Sequence, residues 1–210
     1  MTIEIKDEEI ISLFPTLIFK SKIEDVEFLK DLERKLRTRR SLGEGHLDGK
    51  NFISSDKLHE EEDFKEFSNV VMDKAGNVLD FYHTKRDSHY ISNMWGNIAD
   101  PNHKHTVHIH PNCFLSGLLY VKTPENCSPT AFLDPRPGSK IFEPEYTERN
   151  EFNSGVFKHK ATQGELIIWP HWLAHGVGQG SSQSKDERIV IAFNIVIHAH
   201  IKTKTAQLII

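Results

Sequence analysis

Four histidines fall in the run His103-Lys104-His105-Thr106-Val107-His108-Ile109-His110-Pro111. Imidazole is the commonest protein ligand for iron, zinc and copper, so a metal site is the first chemistry this run suggests. On a strand, residues two apart share a face, which sets His108 and His110 together as a pair. His103 and His105 are read as loop residues ahead of them. A third candidate ligand lies in Glu165-Leu166-Ile167-Ile168-Trp169-Pro170-His171-Trp172-Leu173-Ala174-His175-Gly176-Val177. There a strand ends at Pro170, His171 falls in an exposed turn, and His175 opens a short strand whose backbone can hold it toward an interior.

The segment Arg188-Ile189-Val190-Ile191-Ala192-Phe193-Asn194-Ile195-Val196 holds the next group with chemistry in it. Its odd positions are large and apolar, while its even positions carry Arg188, Ala192 and Asn194. A small residue and an amide beside an arginine make room for a planar anion. The guanidinium can grip a carboxylate through two parallel charge-assisted bonds.

These residues need a scaffold, and the sequence pattern supplies two kinds of element. Alternation over Leu13 to Lys20 suggests an opening strand, with Pro15 at an edge. Val26, Leu29, Leu32 and Leu36 recur at helical steps, and Gly43 and Gly45 end that helix in a loop. A second helix is expected over 61–82, with Phe64, Phe67, Val71, Val78 and Phe81 on one face. After Ser88 the texture becomes β, with strands expected over 89–98, 106–110, 114–121, 131–133, 154–158, 165–169 and 188–198. An irregular connection spans Pro135 to Asn153. The number and shortness of these strands suit a jelly-roll or small barrel with the helices packed on a sheet. Residues 1–210 are read as a single domain: 1–87 the N-terminal strand and helices, 88–200 the β core, 201–210 a tail.

Composition narrows the function classes. A formal net charge of -4 and a pI near 6.3 give no general electrostatic grip on nucleic acid. The run Leu36-Arg37-Thr38-Arg39-Arg40 is read as a solvated helix end. Cys113 and Cys127 fit a reducing compartment better than a disulfide. With acidic residues at the amino terminus and no long apolar run, the protein is expected to be cytoplasmic, without a membrane partner. The apolar tail Ala206-Gln207-Leu208-Ile209-Ile210 is expected to add to a sheet edge or a homodimer interface.

Taken in order, His108-x-His110-Pro111, Ser116-Gly117-x-x-Tyr120, Asp134-Pro135-Arg136, His175, Arg188 and Asn194 resemble the iron(II)- and 2-oxoglutarate-dependent oxygenase superfamily. More narrowly, they resemble a poorly characterised bacterial and phage branch of it. Leu13-Phe14-Pro15-Thr16 and Trp95-x-Asn97 extend the likeness over most of the chain. The resemblance implies a double-stranded β-helix with iron near one mouth, using iron(II), 2-oxoglutarate and O2. It implies His108 and His175 as metal ligands, Arg188 as partner of the distal carboxylate, and Tyr120, Asn194 and Ser116 in the co-substrate pocket. No catalytic side chain is expected beyond the metal centre. The implied reaction is hydroxylation of a small-molecule or peptide substrate, coupled to decarboxylation of 2-oxoglutarate to succinate, with substrate reaching the site over the loops 97–105 and 135–153.

One position departs from the superfamily pattern. A carboxylate is usual two residues after the first histidine, and this chain has His110 there. Either His110 ligates, giving a three-histidine site, which is the preferred reading, or Asp134 supplies a carboxylate from a neighbouring strand, or the site takes another metal or none. The same residues fit two rival functions. One is a cupin-like three-histidine dioxygenase that does not use 2-oxoglutarate. The other is a non-catalytic jelly-roll binding protein.

Overall fold

A computed structural model of the chain describes residues 9–100, 104–139, 141–178, 186–202 and 207–209. In chain order the elements are β1 (Phe19–Lys22), α1 (Val26–Leu42), β2 (Gly45–Asp48), β3 (Asn51–Ser54), α2 (Lys65–Phe81), β4 (Ser88–Ala99) and β5 (His105–His108). There follow β6 (Leu115–Lys122), β7 (Thr130–Leu133), β8 (Val156–His159), β9 (Glu165–Pro170), β10 (His175–Val177), β11 (Arg188–His198), β12 (His200–Lys202) and β13 (Gln207–Ile209).

The strands form two principal antiparallel sheets, one of seven strands ordered β1-β9-β6-β11-β4-β3-β2 and one of four ordered β5-β10-β7-β8. β11 is central to the larger sheet, and the period of two along it assigns its faces. Ile189, Ile191, Phe193, Ile195 and Ile197 belong to one buried cluster with Leu32 and Leu36 of α1 and Phe67, Val71 and Leu79 of α2. Val190 belongs to a second cluster with Leu118, Tyr120, Ile167, Trp169 and, from the smaller sheet, Phe132. The even face of β11, bearing Arg188, Ala192 and Asn194, therefore looks into the space between the sheets.

The helices hold the other face. Asp25 caps α1 by accepting from the Phe28 amide at 2.9 Å, and Gly43 closes it at φ 72°. Leu29, Leu32 and Leu36 are its buried stripe. Gly117 of β6 lets the sheet accept the Phe193 ring, since a Cβ there would stand 2.4 Å from Phe193 Cζ and 2.7 Å from the Ile167 carbonyl oxygen.

Several elements differ from the sequence expectation. The opening strand is short and late, at Phe19–Lys22, because Phe14 takes a left-handed φ of 56° just before Pro15. The first turn expected of the second helix is 3-10, and the α-helix starts at Lys65. The stretch read as a loop after Gly43 contains the hairpin β2–β3, which extends the large sheet through Phe52 and Ile53 opposite Ile98 and Asn97. In the tail, β13 pairs with β12 rather than with either large sheet. Cys113 and Cys127 are free thiols. Among the described residues, no helix is long and apolar enough to cross a membrane.

Candidate metal centre

The smaller sheet brings His108 and His175 face to face. β10 is the strand between β5 and β7, so His175 pairs with His108 on one side and Phe132 on the other. The His108 and His175 rings are 4.4 Å apart at their centroids, and the His110 ring is 5.0 Å from that of His175. One ring nitrogen from each of the three histidines lies within 4.8 Å of the others, a grouping able to hold a metal ion.

The opposite nitrogen of each ring is occupied by an oxygen acceptor. His108 Nδ1 meets the Thr106 carbonyl at 2.8 Å, His175 Nδ1 the Leu173 carbonyl at 2.9 Å, and His110 Nδ1 the Asn194 side-chain oxygen at 2.6 Å. An oxygen acceptor fixes the proton on Nδ1 and leaves Nε2 as a lone pair, which is how metal-bound histidines are held. His108 Nε2 and His110 Nε2 are 3.1 Å apart. Two lone pairs at that distance repel, but two nitrogens bound in adjacent positions at about 2.1 Å from one metal stand about 3 Å apart. The geometry suits a shared cation.

Burial supports the same protonation state. His175 is 6% exposed, and burial pushes its pKa down to about 3 against an opposing pull from the Leu173 carbonyl. Burial also lowers His110, again partly opposed by its bond to Asn194. Both rings stay neutral near pH 7 and offer lone pairs. Trp169 meets His175 edge-on at 4.8 Å, and Trp95 stacks on His110 at 6.0 Å, giving the histidines an aromatic wall.

Arg188 defines the other end of the site. It is 8% exposed, with its guanidinium 5.3 Å from the centre of the Tyr120 ring and Nη2 donating to Thr130 Oγ1 at 3.4 Å. Tyr120 Oη and Thr130 Oγ1 share a 2.7 Å hydrogen bond, and burial raises the phenol pKa. Arg188 Nε is buried with no hydrogen-bond partner among the described residues. An unfilled donor on a buried cation is costly unless an anion completes it. Thr130 and Phe132 are two residues apart on β7 and share a face, so the Arg188 contact lies about 7 Å along the strand from the level of His175.

The other expected site residues fall as follows. Asn194 contacts His110 rather than Arg188, and Ser116 Oγ donates to Asn194 Oδ1 at 3.1 Å. The two face each other across β11 and β6, at the far end of β11 from Arg188. Asp134, weighed as an alternative third ligand, is outside the histidine group. It begins a turn in which Arg136 grips both its oxygens, at 2.9 and 2.8 Å, holding the carboxyl well below the usual carboxylate range. His105 is not in a loop but opens β5, its ring 4.3 Å from that of His108. His110 conversely lies beyond the end of that strand. His171 is half-buried rather than exposed, its Nδ1 meeting the His110 carbonyl at 2.9 Å. His103 lies outside the described residues. Thr130 was missed, although its parity with Phe132 on an apolar run could have placed it.

A family model described as "Putative 2OG-Fe(II) oxygenase" matches residues 93–194, the stretch holding His108, His110, His175 and Arg188. Over these residues the chain is similar to the iron(II)- and 2-oxoglutarate-dependent oxygenase superfamily. Several solved structures share the fold. A Pseudomonas putida prolyl-4-hydroxylase superimposes with a TM-score of 0.63 at 10% identity, covering 88% of this chain and 94% of that one. HygX from Streptomyces hygroscopicus, with nickel and 2-oxoglutarate bound, gives 0.59 at 12% identity, covering 90% and 86%. A viral collagen prolyl hydroxylase from Paramecium Bursaria Chlorella virus-1, in its 2-oxoglutarate complex, gives 0.54 at 12% identity, covering 85% and 94%. At these identities the likeness is one of fold. No curated protein matches the chain in sequence. His110 stands two residues after His108, where the superfamily's usual pattern has a carboxylate, and it groups with His108 and His175.

Proposed function

We propose that the chain is an iron(II)- and 2-oxoglutarate-dependent dioxygenase that hydroxylates its substrate at a three-histidine centre. In this reading the two sheets are the walls of a double-stranded β-helix, with His108, His110 and His175 as metal ligands. The observation that carries it is Arg188, a buried guanidinium with an unfilled donor whose contact on β7, Thr130, lies about 7 Å along that strand from Phe132, the residue opposite His175. That spacing suits a five-carbon dicarboxylate held at one end by a metal and at the other by an arginine.

When bound, iron(II) and 2-oxoglutarate supply the oxidising chemistry, with O2 as oxidant and succinate and carbon dioxide as co-products. The protein's own part is positional. Nδ1 protons donated to Thr106, Leu173 and Asn194 turn three lone pairs inward. Arg188, with Thr130 and Tyr120 beside it, orients the distal carboxylate through charge-assisted bonds. Trp95, Trp169 and Phe132 keep water from the histidines. The connection 134–155 leaves β7 close to the histidines, where the Leu133 amide donates to the Ala174 carbonyl, and so borders the substrate's approach.

Succinate formation tests the reading. Protein supplied with iron(II), 2-oxoglutarate and oxygen should release succinate slowly even without its substrate, and His175→Ala should release none. Iron-dependent oxygen uptake with 2-oxoglutarate left unconsumed would instead favour a three-histidine dioxygenase that binds its substrate directly.

A further inference from the structure

The three histidines are not held alike. His108 and His175 each bond a carbonyl two residues earlier in their own chain, so local backbone sets their rings. His110 has no such local support. It lies past the end of β5 and just before Asn112, which adopts a left-handed φ of 61°. Its ring is fixed from the other sheet, by Asn194, 84 residues away.

Asn194 is itself fixed on both sides. Its Oδ1 accepts from His110 Nδ1 and from Ser116 Oγ, its cross-strand partner on β6. Ser116 Oγ lies 3.6 Å from Cys113 Sγ, which lies 3.6 Å from the His110 carbonyl oxygen, closing a ring of contacts behind the histidine. The β4–β11 ladder shifts register at this point, Asn194 pairing with Asn93 and Ile195 with Ile91. Such irregularities re-aim side chains beside functional sites. The three acceptors behind the histidines are all neutral oxygens, so neither the donor set nor its supports bring a negative charge.

We propose that Asn194 is the positioning residue that makes His110 a metal ligand, and that it sets the centre's charge by supplying a neutral acceptor where a carboxylate could stand. The inference rests on the proposed metal-binding role of the histidines. Supports of this kind typically change metal affinity 10- to 100-fold.

Cobalt(II) titration, followed by its visible absorption, tests it without turnover. Asn194→Leu removes the acceptor and should weaken cobalt(II) binding about 10- to 100-fold. Asn194→Asp keeps the acceptor, adds a charge, and should bind at least as tightly as the wild type, with a shifted absorption band. Ser116→Ala, which removes one of the two donors to Asn194, should weaken binding less than Asn194→Leu. In a His110→Ala background none of these changes should move the affinity. The proposal is overturned if Asn194→Leu binds normally, if Asn194→Asp weakens binding as much as Asn194→Leu, or if the effects persist without His110. Should Asn194→Leu fail to fold, Asn194→Asp and Ser116→Ala carry the same test. Unchanged cobalt(II) affinity in His108→Ala and His175→Ala would refute the metal-binding reading itself, a separate result.

Discussion

Replacing Arg188 with leucine should separate the two ends of the co-substrate. Arg188 is 8% exposed and backed by the Tyr120 ring, so a carboxylate reaching it leaves water behind. Two unit charges about 4 Å apart at an effective dielectric near 20 attract by about 4 kcal/mol. Truncating one partner of a buried, hydrogen-bonded charge pair costs about 2–5 kcal/mol, so Arg188→Leu should weaken 2-oxoglutarate binding by roughly 30- to 5,000-fold. Pyruvate, a 2-oxo acid without a distal carboxylate, supplies the control. Its affinity for the iron-loaded protein should change little on the same substitution, because the donors it uses are some 7 Å away. Anaerobic calorimetric titration of both acids against wild type and variant makes the comparison. If both weaken equally, or 2-oxoglutarate binding is unchanged, Arg188 does not hold the distal carboxylate.

Three further outcomes follow from the same geometry. His175 has a folded pKa of about 3 against about 6.5 unfolded, so the unfolded chain binds more protons between these values. Its contribution is complete above about pH 6.5 and is lost as pH falls toward 3. Urea unfolding of the metal-free protein should show a loss of about 2 kcal/mol from this residue between pH 7 and pH 5, absent in His175→Phe. Gly117→Ala should lower the thermal midpoint at a cost of about 1–3 kcal/mol, since the new methyl meets the Phe193 ring and the Ile167 carbonyl. Tyr120→Phe removes a buried hydroxyl bonded to Thr130 and should cost about 1 kcal/mol in denaturant unfolding, with a smaller effect on 2-oxoglutarate affinity than Arg188→Leu.

The parts of the site governed by a regular period were legible in the sequence. Alternation along β11 placed Arg188 and Asn194 on the inward face, and the break at Pro170 placed His175 at the start of a short strand. Local patterning could not say which strand stands beside which. Asn194 and Arg188 share a face, yet Asn194 bonds His110 and Ser116 while Arg188 sits beside Thr130, a separation along the strand that parity alone does not give. The pairing of His108 with His110 was expected from strand period, but the strand ends at His108. What brings His110 inward is its bond to a residue 84 positions away, which no local pattern records. The β2–β3 hairpin was hidden for a similar reason: four-residue strands beside three glycines read as loop until Phe52 finds Ile98.

In the proposed enzyme, three histidines and a distant arginine together hold iron(II) and 2-oxoglutarate. Anaerobic addition of iron(II) and then 2-oxoglutarate to the metal-free protein tests this most directly, through the visible metal-to-ligand charge-transfer band of a chelated 2-oxo acid. A band that needs both additions and disappears in His175→Ala is expected. No band in the wild type, or an undiminished one in His175→Ala, would contradict it.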